Sequence, residues 1–233
     1  MAGIIVQLAV SWLLVWLIQR KDLKVLGFTP TRNRIYYFFI FLLITAFCCS
    51  TGFLLRMLFA KERWEINPLL NAGMIMDGLW WNIKSVLFEE LIFRGVILYI
   101  LIERIGVAKA IAMSSIAFGI YHWFSFDILG NVTQMVGVFI ITGSMGAVLA
   151  YGYAKMFSLY IPCAIHLGWN FTQIFVFSSG TIGNGIFILS EPAPLVTVSY
   201  FTYFLISFLP LLSALLLNTL MIRRIKNSIQ PVH

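Results

Sequence analysis

Long apolar runs separated by short polar ones organise this chain. Gly3 to Ile18 is apolar and then meets Gln19, Arg20, Lys21, Asp22 and Lys24. A membrane span needs roughly 17–25 mostly apolar residues. A secretory signal peptide carries its positive charge before the apolar run; here the charge follows it. The pattern therefore predicts an uncleaved first span with its N-terminus outside. Ile35 to Phe59 is a second span, followed by a polar loop from Lys61 to Asn67. Leu69 to Ile102 contains Asp77, Lys84, Glu89, Glu90 and Arg94 yet stays apolar between them. It predicts a reentrant or interfacial piece near 69–79 and a span from about Trp80 to Ile102, with one helix through the whole stretch as the alternative. Ala110 to Tyr121 is short, about three turns, and ends at His122-Trp123. Val132 to Tyr151, Leu159 to Phe177 and Leu195 to Met221 are three further spans. The expected fold is an all-α polytopic transmembrane bundle of seven spans, or eight if 69–79 hides a short one. It forms a single integral membrane domain over 1–233, with no internal repeat.

Composition narrows the function classes. Hydrophobic residues make up 61% of the 233 and charged residues 11%, with a mean hydropathy of +0.93. A soluble domain usually carries about 25% charged residues. A disordered chain, a coiled coil and an ordinary cytosolic enzyme are all poor fits. The net charge of +7 suggests nucleic acid at first sight. In a membrane protein, however, a basic excess belongs in the cytoplasmic loops, against anionic lipid. With the N-terminus outside, eleven Lys and Arg fall in inner loops: Arg20, Lys21, Lys24, Arg32, Arg34, Arg104, Lys109, Lys155, Arg223, Arg224 and Lys226. Three fall outside, Arg56, Lys61 and Arg63, and Lys84 and Arg94 complete the sixteen. Membrane lipids are therefore expected partners and nucleic acid is not. The three cysteines, Cys48, Cys49 and Cys163, show no CxxC spacing and read as small buried hydrophobes.

An ionised group at the bilayer centre costs about 3 kcal/mol even on the mildest scale. Glu89, Glu90, Arg94, His122, His166 and Asn170 all sit among apolar neighbours. Glu90 and Arg94 are four apart and share a helix face, which suits a structural ion pair. Glu89 points about 100° away from Glu90 and is left free to face a wet cavity and exchange protons, as a general base must. His122 lies one turn after Phe118, near a helix end. His166 and Asn170 are four apart, so both can point at one oxygen atom, the geometry of an oxyanion site. An interhelical hydrogen-bond pair is the plainer use of the same two residues. Taken together, a carboxylate, an imidazole, and an imidazole with an amide make a water-activating site.

Glu89-Glu90-Leu91-Ile92-Phe93-Arg94 reads EExxxR, Phe118-Gly119-Ile120-Tyr121-His122 reads FxxxH, and His166-Leu167-Gly168-Trp169-Asn170 reads HxxxN. In this order, on successive polytopic spans, they resemble the CPBP family, the CAAX proteases and bacteriocin-processing enzymes also called Abi proteins. The resemblance covers about 85–170. It implies an intramembrane endopeptidase with an all-helical core acting on a membrane-associated or prenylated protein or peptide. Under it Glu89 looks like the catalytic glutamate, Glu90 and Arg94 like its supports, His122 like the water-orienting histidine, and His166 and Asn170 like the oxyanion pair. A catalytic zinc wants three protein ligands and an open position. Glu89, His122 and His166 could supply them, but HExxH is absent and Asn170 is a poor ligand, so the expectation is no metal. Family roles include CaaX-tail processing, bacteriocin immunity and peptide signalling, among which the residues do not choose. The last four residues, Gln230-Pro231-Val232-His233, form no CaaX motif.

The competing classes are a proton-coupled transporter and a non-catalytic scaffold or immunity factor whose polar cluster is structural. A transporter commonly shows duplicated halves, which are not seen. A rhomboid-like serine protease would use Ser144 in Thr142-Gly143-Ser144-Met145-Gly146, which lacks a GxSG turn. The expected location is the plasma membrane of a prokaryote, with the C-terminus cytoplasmic.

Overall fold

A computed structural model describes residues 2–178 and 185–226. His233 and the three residues before it lie outside them. Among the described residues the chain forms eight α-helices: α1 (Ala2–Gln19), α2 (Arg32–Phe59), α3 (Ala72–Phe93), α4 (Val96–Ile105), α5 (Val107–Ser125), α6 (Val132–Met156), α7 (Tyr160–Asn170) and α8 (Tyr200–Arg224). A π-helical segment, Phe171–Val176, prolongs α7. Three short strands, β1 (Trp64–Ile66), β2 (Phe177–Ser178) and β3 (Phe187–Leu189), form a small sheet in the order β1-β3-β2. The β1–β3 pairing is antiparallel and the β2–β3 pairing parallel. The bundle is thus helical, as expected, with a sheet that the reading of 61–67 as a polar loop did not foresee.

Contacts between connecting segments define two ends of the bundle. At one end Lys21 reaches the Tyr99 hydroxyl, Leu159 N–H bonds the Leu26 carbonyl, and Tyr153 bonds the Val25 carbonyl. Lys155 reaches the Ile225 carbonyl nearby. The sheet lies at the opposite end, bringing β1, after α2, beside β2, after α7. Among the described residues four helices, α1, α2, α6 and α8, are long and apolar enough to cross a membrane. The outer surface is apolar: Val6, Trp12, Phe47, Leu58, Ile140, Phe201 and Leu216 are all exposed, the surface a lipid phase accepts.

Two expectations are corrected here. Residues 69–79 are not a separate reentrant piece, because α3 starts at Ala72, with Asn71 capping it through a bond to Met74 N–H at 3.1 Å. Nor is 80–102 one helix, because the chain breaks at Arg94 and Gly95. The break has a local cause: a Cβ on Gly95 would collide with the carbonyl oxygen of Leu91. Only glycine permits that approach.

The core has two parts. One gathers Val15, Leu26, Leu91, Leu98, Tyr99 and Ala150. The other gathers Phe41, Phe118, Leu149, Ile161, Ile165 and Ile222. Leu91 belongs to the first and Phe93 packs on the second, so the break follows immediately on the seam between them. On the far side Gly168 of α7 lies against the Leu42 carbonyl and Thr45 of α2, letting those two helices approach closely. Thr45 is also paired with buried Asn218 of α8, whose Nδ2 lies 2.9 Å from Thr45 Oγ1. These contacts hold α7 in place. Cys48, Cys49 and Cys163 are free thiols, the first two buried.

Candidate active site

The last turn of α3 supplies the carboxylates. Glu90 and Arg94 are both fully buried, with Arg94 Nη1 3.2 Å from Glu90 Oε1. This is the ion pair that their spacing predicted. Arg94 Nη2 also donates to the Gly146 carbonyl of α6 at 3.2 Å. Its guanidinium carbon lies 4.0 Å from the centre of the Phe118 ring. A buried charge needs such compensation, since an unpaired one costs several kcal/mol.

His166 enters from α7 and joins the same carboxylate: its Nδ1 is 2.7 Å from Glu90 Oε1. Its other nitrogen, Nε2, is 3.8 Å from Glu89 Oε2. That separation is too long for a hydrogen bond. The two glutamates therefore face opposite nitrogens of one imidazole. Glu89 Oε2 is buried and without a hydrogen-bond partner among the described residues.

His122 lies near the end of α5. Its Nδ1 is 2.8 Å from the Phe118 carbonyl oxygen. A carbonyl only accepts, so in the neutral ring Nδ1 carries the hydrogen and Nε2 is left as an acceptor. The Phe118 ring connects the cluster. It makes edge contacts with His122 at 4.5 Å and His166 at 5.9 Å between ring centres, beside its contact with Arg94. Asn170, one turn beyond His166, is half-buried at the junction of α7 with the π-helical segment. Its amide makes no hydrogen bond among the described residues. Such π segments are frequent at functional sites.

The structure thus joins Glu89, Glu90, Arg94 and His166 directly and His122 through Phe118. It leaves Asn170 near His166 without a contact to the others. Sequence reasoning missed the Phe118 ring and the Gly146 carbonyl. The FxxxH spacing placed Phe118 beside His122 but gave no sign of Arg94. Glu89 also opens onto a cleft of about 390 Å³, lined by Gly3, Ile4, Trp81, Lys84, Ser85, Phe88 and Tyr121. The cleft lies between α1, α3 and α5. Ser144 is no rival nucleophile: its hydroxyl donates to the Ile141 carbonyl of its own helix at 2.9 Å.

Among the described residues no three His, Cys, Asp or Glu side chains converge as metal ligands do. In this geometry Glu89, His122 and His166 do not converge as the three protein ligands of a catalytic zinc do.

An apolar helix bundle with charged and polar side chains gathered at its centre defines an integral membrane protein. Residues 71–172 match the family described as Type II CAAX prenyl endopeptidase Rce1-like. Over that segment the chain is similar to the CPBP, or CAAX protease, family, a family of membrane proteases. The match includes all three motifs and extends the resemblance of 85–170 back to the start of α3. No curated protein and no solved structure matches the chain.

Proposed function

We propose that this chain is an intramembrane endopeptidase in which Glu89 activates a water molecule that attacks a peptide carbonyl. One observation carries the reading above all: Glu89 presents a buried carboxylate oxygen with no hydrogen-bond partner at the end of a cleft, 3.8 Å from an imidazole nitrogen.

In this reaction Glu89 takes one proton from water while the Nε2 acceptor of His122 holds the other. The hydroxide oxygen bonds to the carbonyl carbon, and the carbonyl electron pair moves to oxygen. His166 Nε2–H and the Asn170 amide donate to that oxyanion. The intermediate collapses as the C–N bond breaks, and Glu89 returns its proton to the leaving nitrogen. Glu90 accepts from His166 Nδ1, which orients the ring and supports an imidazolium. With His166 charged, Glu89, Glu90, Arg94 and His166 sum to zero. After proton transfer Glu89 is neutral and the oxyanion carries the negative charge, so the sum is again zero. In a site of low dielectric this conservation removes a large electrostatic cost.

The substrate is a protein or peptide at or in the membrane that enters through the cleft beside α1. The chain crosses the bilayer seven times as one membrane unit, with the N-terminus outside. No metal takes part. The reaction core lies within 85–170, and the membrane is the plasma membrane of a prokaryote.

The test compares peptide termini in membranes and medium from cells making the wild type or Glu89→Gln at equal levels. Termini present only with the wild type are expected and would identify the substrate. Identical profiles would overturn the reading and favour a scaffold.

A further inference from the structure

Asn82 lies on α3 and is almost wholly buried, with 1% of its surface exposed. None of the three motifs contains it. Its Nδ2 donates to the Gly78 carbonyl one turn earlier, at 2.9 Å. A carbonyl only accepts, so this bond fixes the amide and turns Oδ1 the other way. That oxygen is buried and has no hydrogen-bond partner among the described residues. Unpaired buried acceptors are costly, and folded cores keep few of them. Two contacts fix the face on which Asn82 sits. Gly78 packs on the Phe175 ring of the π-helical segment, where a Cβ would collide, and Glu89 lies opposite His166 of α7. Gly78, Asn82 and Glu89 fall within about 40° of one another around α3. The two elements therefore run antiparallel, with Asn82 between the two contacts. Asn170 is one turn beyond His166 towards Phe175, about 40° from His166 and so on the same face. Its amide also makes no hydrogen bond among the described residues.

We propose that Asn82 and Asn170 hold one buried water between α3 and the end of α7, which makes Asn82 a positioning residue for the oxyanion donor. This rests on the protease reading above. Measured from the Glu89–His166 contact, Asn82 lies about 10.5 Å along its helix and Asn170 about 6 Å along the other. The offset of roughly 4.5 Å is too long for a direct hydrogen bond and suits two bonds of about 2.8 Å meeting at one water. The water donates to Asn82 Oδ1 and accepts one N–H of Asn170. The second N–H of Asn170 is then left for the reacting carbonyl oxygen. The two ends of an amide are nearly the same size. Without this anchor Asn170 is free to turn its own oxygen towards the site, where it would repel an oxyanion rather than bind it.

The experiment uses the full chain in lipid vesicles, a mixture of twelve-residue peptides of random sequence, and the variants Asn82→Leu, Asn170→Ala and the two combined. Cut sites are read by mass spectrometry, and kcat and KM by time course on the peptide cut fastest. Leucine matches asparagine in size and leaves no buried acceptor, so Asn82→Leu should unfold within about 2 °C of the wild type or later. Its kcat should fall about tenfold or more, a part of the 10²–10³ that a lost oxyanion donor costs, with KM unchanged. In the Asn170→Ala background the same change should alter kcat by less than about twofold, because nothing is left to position. A crystal structure that resolves ordered water should show one water bonded to both amides. A kcat unchanged in Asn82→Leu, or the same loss in both backgrounds, would overturn the assignment while leaving the protease intact. So would an Asn82 Oδ1 bonded elsewhere, or a kcat loss that comes with early unfolding and marks Asn82 as a packing residue. Cleavage of no peptide by the wild type would overturn the protease reading and this inference with it.

Discussion

Two adjacent glutamates should respond in opposite ways to the same small change. Glu90→Gln removes the only carboxylate in contact with Arg94 among the described residues, and Arg94 is fully buried. Breaking one side of a buried pair costs about 3–5 kcal/mol, because the remaining charge stays uncompensated. The bond to Gly146 and the contact with the Phe118 ring remain, but neither supplies a negative charge. For a chain of 150–250 residues each kcal/mol corresponds to about 2–4 °C, so Tm should fall by roughly 6–20 °C. Glu89→Gln breaks no hydrogen bond, since the nearest partner is 3.8 Å away. Its side chain is 15% exposed, and an amide keeps its size. Tm should move by about 2 °C or less, and cleavage should fall by at least the 10²–10⁴ that a general base supplies. The assay is thermal unfolding in detergent micelles followed by tryptophan fluorescence, beside cleavage of an identified substrate. A Glu89→Gln protein that unfolds as early as Glu90→Gln would refute the division of roles. So would a Glu89→Gln protein that keeps its activity.

Two further outcomes follow from the packing and the donor set. Gly168→Ala drives a methyl into the Leu42 carbonyl and Thr45 on α2. Overpacking of this kind costs about 1–3 kcal/mol and pushes His166 and Asn170 from the site, so activity should drop more than tenfold while Glu90–Arg94 stays formed; thermal unfolding and cleavage measured together check this. Prolonged incubation with a strong chelator should leave cleavage unchanged, because no three ligands converge among the described residues. Loss of activity restored by zinc would show that the ligand set assembles on substrate binding.

The readable part of this site was local. Glu90 and Arg94 are one helical turn apart, so their pairing follows from 3.6 residues per turn and the cost of burying either alone. The same is true of Phe118 and His122, and of His166 and Asn170. What brings these turns together depends on α6 and α7, far along the chain, and no spacing rule reports that His166 takes Glu90 with one nitrogen and faces Glu89 with the other. The break at Arg94–Gly95 was hidden for a different reason. A lone glycine in a helical pattern costs only about 1 kcal/mol, too little to outweigh the apolar run that surrounds it. The sheet was hidden because its strands are two or three residues long and β1 pairs with β3 more than a hundred residues later, so no alternating pattern could develop. These hidden features determine what the visible ones do. If α3 continued straight through Gly95, residues 96–105 would be carried along its axis instead of turning at the seam between the two halves of the core. The break ends the helix at Phe93, and Arg94, the residue that caps it, bonds the Gly146 carbonyl. Glu90 is then held from both sides, by Arg94 and His166. That constraint leaves Glu89, one residue earlier and about 100° around the helix, as the carboxylate that faces the cleft.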